Sequence, residues 1–196
     1  MIINTETINN LSPEQIGKIF PIEVVPFREE WKTLFYREKK LIVSTLCSLF
    51  KIDVEHIGST AIQGLSAKPI VDILIEIPSI NNETKIEILS KLRKIGYENM
   101  SNAEQEKRMT FGKGYDFLNP DKQKFHLHVR EKNNDFQDEI YFRNYLKQNL
   151  DARKEYEELK INLAKEHKNN RENYTFAKTD FIMKITEMAK TTNISL

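Results

Sequence analysis

One predicted strand constrains the fold of this chain more than any other segment. Between Pro69 and Ile77 every second residue is apolar and β-branched, so one face of the strand is wholly apolar: Val71, Ile73, Ile75 and Ile77. The opposite face carries Asp72, Leu74 and Glu76. This pattern is typical of a strand in the middle of a sheet, with one face covered and a polar cleft over the other. An ionised carboxylate there must be paired, hydrogen-bonded or metal-bound, so Asp72 is the first candidate functional residue.

The other elements predict an α+β fold, in which helices precede and follow a mixed β-sheet. Ser12-Pro13-Glu14-Gln15 matches a capping box and starts a short helix at residues 13–20. Apolar periodicity then predicts a helix at 28–50, strands at 52–58 and 69–77, a helix at 82–95, strands at 107–117 and 124–130, and helices at about 138–148, 152–167 (capped by Asp151) and 175–189. The fold class is therefore α+β, a mixed β-sheet core flanked by helices with an α-helical C-terminal part.

Composition indicates which binding partners and which cellular compartment to expect. The 196 residues include 30 Lys and Arg against 29 Asp and Glu, a formal net charge of +1. Duplex DNA is therefore not an expected partner, because its binding needs a concentrated basic face. The single cysteine, Cys47, excludes an internal disulfide framework, and we expect it to be buried beside the apolar stripe of the second helix. No stretch approaches the roughly 20 apolar residues of a membrane span, so we expect a cytoplasmic protein without a membrane partner.

The segment from Glu55 to Asp72 carries the strongest signal for ligand binding. A predicted strand ends in Gly58-Ser59-Thr60, and the next strand brings in Asp72. Glycine lets the backbone approach a phosphate closely, and serine donates from both its hydroxyl and its amide. A helix beginning at Ser59 would add further free N–H groups. The segment therefore predicts a phosphate site beside a carboxylate.

Histidines form a second candidate set. His126 and His128 alternate on a predicted strand, so both imidazoles point to one side. If that strand neighbours the strand of Asp72, two imidazoles and a carboxylate form a divalent-metal site that suits Zn²⁺, Mn²⁺ or Fe²⁺ better than Mg²⁺. His56 precedes Gly58 by two residues and is expected to share its face of the strand. The alternative is that these histidines only form hydrogen bonds at a sheet surface.

These segments closely resemble the GrpB-like proteins, a family within the nucleotidyltransferase-fold superfamily. The resemblance rests on several motifs: Glu55-His56-Ile57-Gly58-Ser59-Thr60, Gly64-Leu65, Lys68-Pro69-Ile70-Val71-Asp72-Ile73, Phe142-Arg143-Asn144-Tyr145-Leu146, Tyr156, Leu159-Lys160, Tyr174-Thr175 and Ala177-Lys178. It implies a single domain over residues 1–196, with a nucleotidyltransferase-like core at about 24–130 and a helical cap at about 138–190.

The resemblance also implies roles for particular residues. In active members of the superfamily a Gly-Ser pair holds a nucleoside triphosphate, and two acids spaced one residue apart hold Mg²⁺, usually with a third acid from a later strand. Gly58, Ser59 and Asp72 match the first of these parts. Leu74 stands where the second acid is expected, and Glu76 cannot replace it, because four residues of strand place it about 13 Å from Asp72. The implied metal site is therefore degenerate.

Basic residues complete the predicted anion pocket. Lys68 precedes the strand of Asp72, and Arg108 lies on a later strand. Arg143, Lys160 and Lys178 lie in the C-terminal helices at positions that resemble those of the family. Arginine binds phosphate in a bidentate manner, while lysine acts as a mobile point charge. The alternative is a solvated face of mixed charge.

The expected function is binding of a nucleotide or phosphorylated small molecule at the Gly-Ser-Thr turn, with metal-assisted nucleotidyl or phosphoryl transfer. Asp72 would hold the divalent metal, Mg²⁺ or Mn²⁺ with Zn²⁺ as a further candidate, while Arg143 or Lys178 would neutralise developing charge. Leu74 keeps two alternatives open. One is a non-catalytic regulatory domain that binds a nucleotide or metabolite. The other is a transition-metal hydrolase or lyase that uses Asp72 and the two histidines.

Overall fold

A mixed sheet forms the centre of the molecule. The computed structural model describes residues 12–100, 107–132 and 137–192. Five strands in this part of the chain form one sheet: β1 (Val54–Ile57), β2 (Ile70–Ile77), β3 (Glu98–Asn99), β4 (Arg108–Lys113) and β5 (Lys124–Glu131). Their spatial order is β1-β2-β5-β4-β3. Strands β2 and β5 are parallel, whereas the other neighbours are antiparallel. The predicted mixed sheet, with the strand of Asp72 in its interior, is confirmed.

Along the described part of the chain, two α-helices precede the strands, one lies between the second and third strands, and the rest follow the last strand. Their bounds are α1 (Pro13–Ile19), α2 (Glu30–Leu46), α3 (Asn82–Lys94), α4 (Asp138–Gln148), α5 (Leu150–Glu166), α6 (Arg171–Phe176) and α7 (Thr179–Thr191). The capping box at the start of α1 is confirmed, since the Ser12 hydroxyl accepts from the Gln15 amide at 3.2 Å and Gln15 Oε1 accepts from the Ser12 amide at 2.7 Å. The α+β class and the helical C-terminal part are thus also confirmed. Within the described residues, no helix is both long and apolar enough to cross a membrane.

Helices α2 and α3 cover one face of the sheet, as the alternation in β2 predicts. The core between them is fully buried and mainly aliphatic and aromatic: Trp31, Ile42, Leu46, Val71, Ile73, Ile75, Ile88, Leu92, Leu127 and Val129. Its burial removes a large apolar area from water, which is the main stabilising contribution to a domain of this kind. The other face of the sheet, with Asp72, remains free for a cleft.

The C-terminal helices build a second core beside that cleft. Side chains of α4, α5 and α7 pack with two residues that precede β2: Phe142, Leu146, Tyr156, Ile185 and Ala189 with Ile62 and Leu65. A smaller cluster joins Ile22 to Leu163, Ala164 and Tyr174. The helices are thereby fixed over the segment that connects β1 to β2, which places their polar side chains opposite Asp72.

Three sequence-based expectations need correction. The helix expected at 175–189 is two helices, α6 and α7, because Asn170 caps an earlier start by accepting the Asn173 amide at 3.0 Å. The expected cap Asp151 lies in the first turn of α5, whose N-cap is Asn149. Cys47 is exposed, because it is the C-cap of α2 and follows Leu46, the last buried residue of that helix.

Candidate metal and anion site

Asp72, His126 and His128 converge on one face of the sheet. The parallel register of β2 and β5 places Asp72 opposite His126 and Leu74 opposite His128. Asp72 Oδ1 lies 3.1 Å from His126 Nδ1 and 3.8 Å from His128 Nε2. One ligand atom from each residue lies within 4.8 Å of the other two. The three side chains are half-buried, so a bound ion would be largely shielded from solvent.

Protonation states in this cluster suit metal binding. Burial by itself raises the pKa of Asp72, but the hydrogen bond with His126 and the proximity of His128 outweigh it and hold that pKa far below its usual range. Burial lowers the pKa of His126. At neutral pH the carboxylate is therefore ionised and the His126 imidazole is neutral, which are the forms that coordinate a cation.

The donor set fits a transition metal better than Mg²⁺. Mg²⁺ demands near-octahedral oxygen ligands, whereas imidazole is a ligand for Zn²⁺, Mn²⁺ or Fe²⁺. Leu74, only 2% exposed, lies between Asp72 and Glu76 on the same strand face and offers no ligand atom. Glu76 lies two residues further along the same face, in register with Arg130 rather than with either histidine. The residues present therefore match one carboxylate and two imidazoles around a single ion.

The turn at residues 58–61 lies directly against Asp72. Gly58 has φ +68°, and a Cβ built on it would lie 2.5 Å from Asp72 Oδ2. Only glycine allows both this backbone conformation and this contact. Ser59–Ala61 then forms a single 3-10 turn, so the helix anticipated after Ser59 is reduced to three residues. Thr60 is buried, and its hydroxyl is bonded to His56 Nε2 at 3.0 Å.

Three lysines face the same space, and we call them the lysine cluster: Lys68, Lys160 and Lys178. Lys160, 2% exposed, donates to Ser59 Oγ at 3.2 Å and to the Ser66 carbonyl. The ammonium groups of Lys68 and Lys178 lie 5.1 and 4.1 Å from the centre of the Tyr174 ring. Among described residues, none of the three forms an ion pair with a carboxylate.

Burial dominates the electrostatics of the lysine cluster. It lowers the pKa of Lys68 to about 7, with repulsion from Lys178 and Arg171 adding to the effect. It lowers the pKa of Lys160 to about 7 and that of Lys178 to about 8. Asp72 and Glu157 only partly offset this burial, so the charged forms of the three lysines stay disfavoured, and an anionic ligand would relieve this penalty.

The candidate metal ligands and the lysine cluster line the same central cavity, which has a volume of about 670 Å³. Its polar wall carries residues 58–60, Asp72, the two histidines and the lysine cluster, and its rim adds the acids of α4 and α7: Asp138, Glu139 and Glu187. Its apolar wall comes from the C-terminal helices: Phe142, Tyr156, Ile182 and Met183. A cavity of this size, with few convergent polar groups on an apolar background, is typical of a small-molecule site.

Other predicted residues lie outside this cavity. Arg143 donates to Glu55 Oε2 and to the His56 carbonyl, both at 2.7 Å, and it lines a second cavity together with His56. Alternation along β1 turns the His56 ring toward α2, where it stacks on Phe35 at 4.6 Å. Burial lowers the pKa of His56 to about 4. Arg108 is exposed on β4, in register with Arg130.

Two side chains beside the site were missed by sequence reasoning. The Tyr115 hydroxyl lies 2.5 Å from His126 Nε2, and Arg171 donates to that hydroxyl at 3.4 Å. Tyr115 follows the end of β4, and Arg171 begins the unpredicted helix α6. No local pattern distinguishes either residue, so only the fold brings them to His126.

Comparison with known proteins places this geometry in a family. The family model described as GrpB protein matches residues 21–188. The chain belongs to the GrpB family. The Glutamate-rich protein GrpB of Alkalihalophilus pseudofirmus is 38% identical over 83% of this chain and 92% of its own length. The crystal structure of GrpB from Enterococcus faecalis superposes with a TM-score of 0.73 and 31% identity, over 85% of this chain and 96% of that one. GrpB membership was predicted from motifs that include several residues of the central cavity, among them Gly58, Ser59 and Asp72.

A more remote likeness reaches the poly(U) polymerase Cid1. Its structure with MgGTP aligns over 78% of this chain and 46% of that chain, with 14% identity and a TM-score of 0.48. At this level the likeness supports no conclusion about the present chain.

Proposed function

We propose that the central cavity binds a nucleotide or another phosphorylated small molecule, together with a divalent metal. The observation that carries the proposal is the lysine cluster, three lysines that form no ion pair with a carboxylate among the described residues, in the same cavity as Asp72 and two imidazoles. A phosphate ester supplies the missing negative charge, and its oxygens bind both lysine and a metal.

Each part of the cavity has a role in this proposal. Lys160 and Ser59, already in contact at 3.2 Å, bind the phosphate from one side. The first N–H groups of a helical turn lack acceptors within the turn, so the amides of Ser59 and Thr60 add donors. Lys178 and Lys68 supply charge from the side of Tyr174. Arg143, His56 and Arg108 receive no ligand contact, since they lie outside this cavity.

The chemistry proposed is nucleotidyl or phosphoryl transfer. A metal held by Asp72, His126 and His128 would polarise a phosphoryl oxygen as a Lewis acid. The lysine cluster orients the phosphate and neutralises the charge that develops on it, and the C-terminal helices exclude water from the cavity. Tyr156 and Tyr174 offer aromatic surfaces for the apolar part of the ligand.

Two alternative functions are each favoured by a specific observation. Leu74 in place of an acid favours a regulatory domain that binds the ligand without reacting with it. The group of one carboxylate and two imidazoles favours a transition-metal hydrolase or lyase. Both share the same cavity, so metal content and ligand turnover distinguish them from the transferase.

The test combines metal analysis with thermal shift. Purified protein is assayed for bound Zn²⁺, Mn²⁺ and Fe²⁺, then screened with nucleoside triphosphates, other phosphate esters and inorganic phosphate, with and without Mn²⁺ or Mg²⁺. A ligand at about 100 times its Kd raises the free energy of unfolding by about 2.7 kcal/mol, which moves the Tm by several degrees. We expect a metal-dependent shift with a phosphate ester that Asp72→Asn abolishes. A flat response from the whole panel would overturn the proposal.

A further inference from the structure

Tyr115 forms a hydrogen bond with His126, one of the candidate metal ligands. Its ring is nearly parallel to that of His126, with an interplanar angle of 12° and 5.7 Å between centroids. Its hydroxyl lies 2.5 Å from His126 Nε2. The opposite ring nitrogen, Nδ1, faces Asp72 Oδ1 at 3.1 Å. Both nitrogens of His126 therefore have partners, one in the metal cluster and one outside it.

Three neighbours hold Tyr115 in this position. Phe20 meets the ring edge-on at 5.7 Å between centroids, and Arg171 lies over the ring at 5.2 Å while donating to the hydroxyl at 3.4 Å. Gly112, the cross-strand partner of His126, leaves the space for the ring, since a Cβ there would come within 3.1 Å of it. The tyrosine is thus fixed by packing and not only by its contact with the imidazole.

We propose that Tyr115 is a positioning residue for the metal site. Its hydroxyl holds His126 with Nδ1 directed at Asp72, and it can form a hydrogen bond with Nε2 in either tautomer of the imidazole. This inference rests on the proposed function, of which the metal at Asp72, His126 and His128 is a part. Tyr115 itself touches neither metal nor ligand.

The hydroxyl is suited to this role because it both donates and accepts. When no metal is bound, Nδ1–H of His126 donates to Asp72, and the Tyr115 O–H donates to Nε2. When Nδ1 coordinates an ion, the proton of the neutral imidazole must be on Nε2. Tyr115 Oη then accepts from Nε2–H while also accepting from Arg171, and its own hydrogen turns away. A phenyl ring can do neither, so Tyr115→Phe leaves Nε2 without its partner.

The experiment measures metal affinity directly. Zn²⁺ and Mn²⁺ binding to the full chain is followed by titration calorimetry for wild type, Tyr115→Phe and Tyr97→Phe. The control also removes a buried tyrosine hydroxyl, but Tyr97 packs in the core on the opposite face of the sheet. We expect Tyr115→Phe to weaken metal binding about 10- to 100-fold, the usual effect of removing a partner of a metal-bound histidine. Tyr97→Phe should bind as wild type does.

A spectroscopic readout separates positioning from general structural damage. Long-range ¹H–¹⁵N spectra of the histidine rings report which nitrogen of His126 carries the proton. In wild type the proton should lie on Nδ1 without metal and on Nε2 with Zn²⁺ bound, an observation that needs no variant. If Tyr115→Phe does not fold, the wild-type spectra remain the test, because they require Nε2 of His126 to carry the proton that Tyr115 Oη accepts.

The outcomes are distinguishable from failure of the proposed function. If wild type binds neither ion, the metal site itself is wrong and the role of Tyr115 falls with it. If wild type binds Zn²⁺ and Tyr115→Phe binds equally well, only the inference about Tyr115 is overturned. An Nε2 of His126 that stays unprotonated with Zn²⁺ bound would contradict it as well.

Discussion

Gly58 lies so close to Asp72 that a Cβ on Gly58 would be 2.5 Å from the carboxylate oxygen Oδ2. The contact joins the turn at residues 58–61 to the strand that carries the candidate metal ligand. It would couple the proposed phosphate site to the proposed metal site, because any side chain at position 58 displaces the carboxylate. The absence of a side chain at Gly58 is therefore part of the site.

Gly58→Ala should abolish metal binding, and Gly64→Ala provides a matched control. Gly64 also has a positive φ, +79°, but a Cβ there meets nothing within 4 Å. Both substitutions carry a backbone cost of about 1–2 kcal/mol. Gly58→Ala adds the clash with Asp72, so we expect a total loss of about 3 kcal/mol in the free energy of unfolding. Urea denaturation and Zn²⁺ calorimetry measure the two effects, and equal behaviour of the variants would contradict the prediction.

Lys178→Met should stabilise the ligand-free protein while weakening ligand binding. Burial opposes the charge of Lys178 more strongly than the attraction of Asp72 supports it. Its removal should raise the free energy of unfolding by about 1 kcal/mol, after allowance for solvent screening. Lys184→Met, at an exposed position of the same helix, serves as the control and should change neither quantity. Thermal melts with and without the best phosphate ester give both measurements. A destabilised Lys178→Met would contradict the argument.

The lysine cluster should make stability and ligand affinity respond to pH in opposite directions. Its three pKa values are lowered in the folded state, to about 7 for Lys68 and Lys160 and about 8 for Lys178. Above these values the unfolded chain binds more protons than the folded chain, so the free energy of unfolding contributed by the cluster rises with pH up to the ordinary lysine pKa.

Anion affinity should fall over the same range, because the folded lysines lose their charge. Between about pH 6 and about pH 9 we expect roughly a tenfold loss in affinity for a phosphate ester, equivalent to about 1.4 kcal/mol. Calorimetric titrations at fixed ionic strength test this. Affinity that is constant across the range would show that the lysines do not bind the ligand.

Leu74→Asp should shift the metal preference of the site toward Mg²⁺ and Mn²⁺. The new carboxylate would lie on the same strand face as Asp72, beside His128 in the register. Without metal, an additional buried charge should lower the free energy of unfolding by about 3 kcal/mol, and Mg²⁺ or Mn²⁺ should restore part of this loss. Leu74→Asn introduces a similar polar volume without the charge. If Mg²⁺ stabilises both variants alike, the interpretation of position 74 as the place of a missing metal-binding acid is wrong.

Local sequence patterns determined much of this protein. Alternation in β2 predicted which residues enter the core and left Asp72 on the open face. The His126-Leu127-His128 alternation put both imidazoles on one side of β5, and the capping box at Ser12 set the start of α1. These features depend on neighbours within a few residues, so the period of the pattern is enough to predict them.

The candidate site itself was decided by tertiary structure. Asp72 and His126 are 54 residues apart and meet only because β2 and β5 are adjacent and parallel in register. The same packing brings Lys160 to Ser59, across 101 residues, and binds Arg143 to Glu55 outside the cavity. Strand order and helix placement depend on how the whole apolar surface is buried, and no local period encodes that. The sequence thus determined which faces are polar, and only the fold decided which polar groups meet.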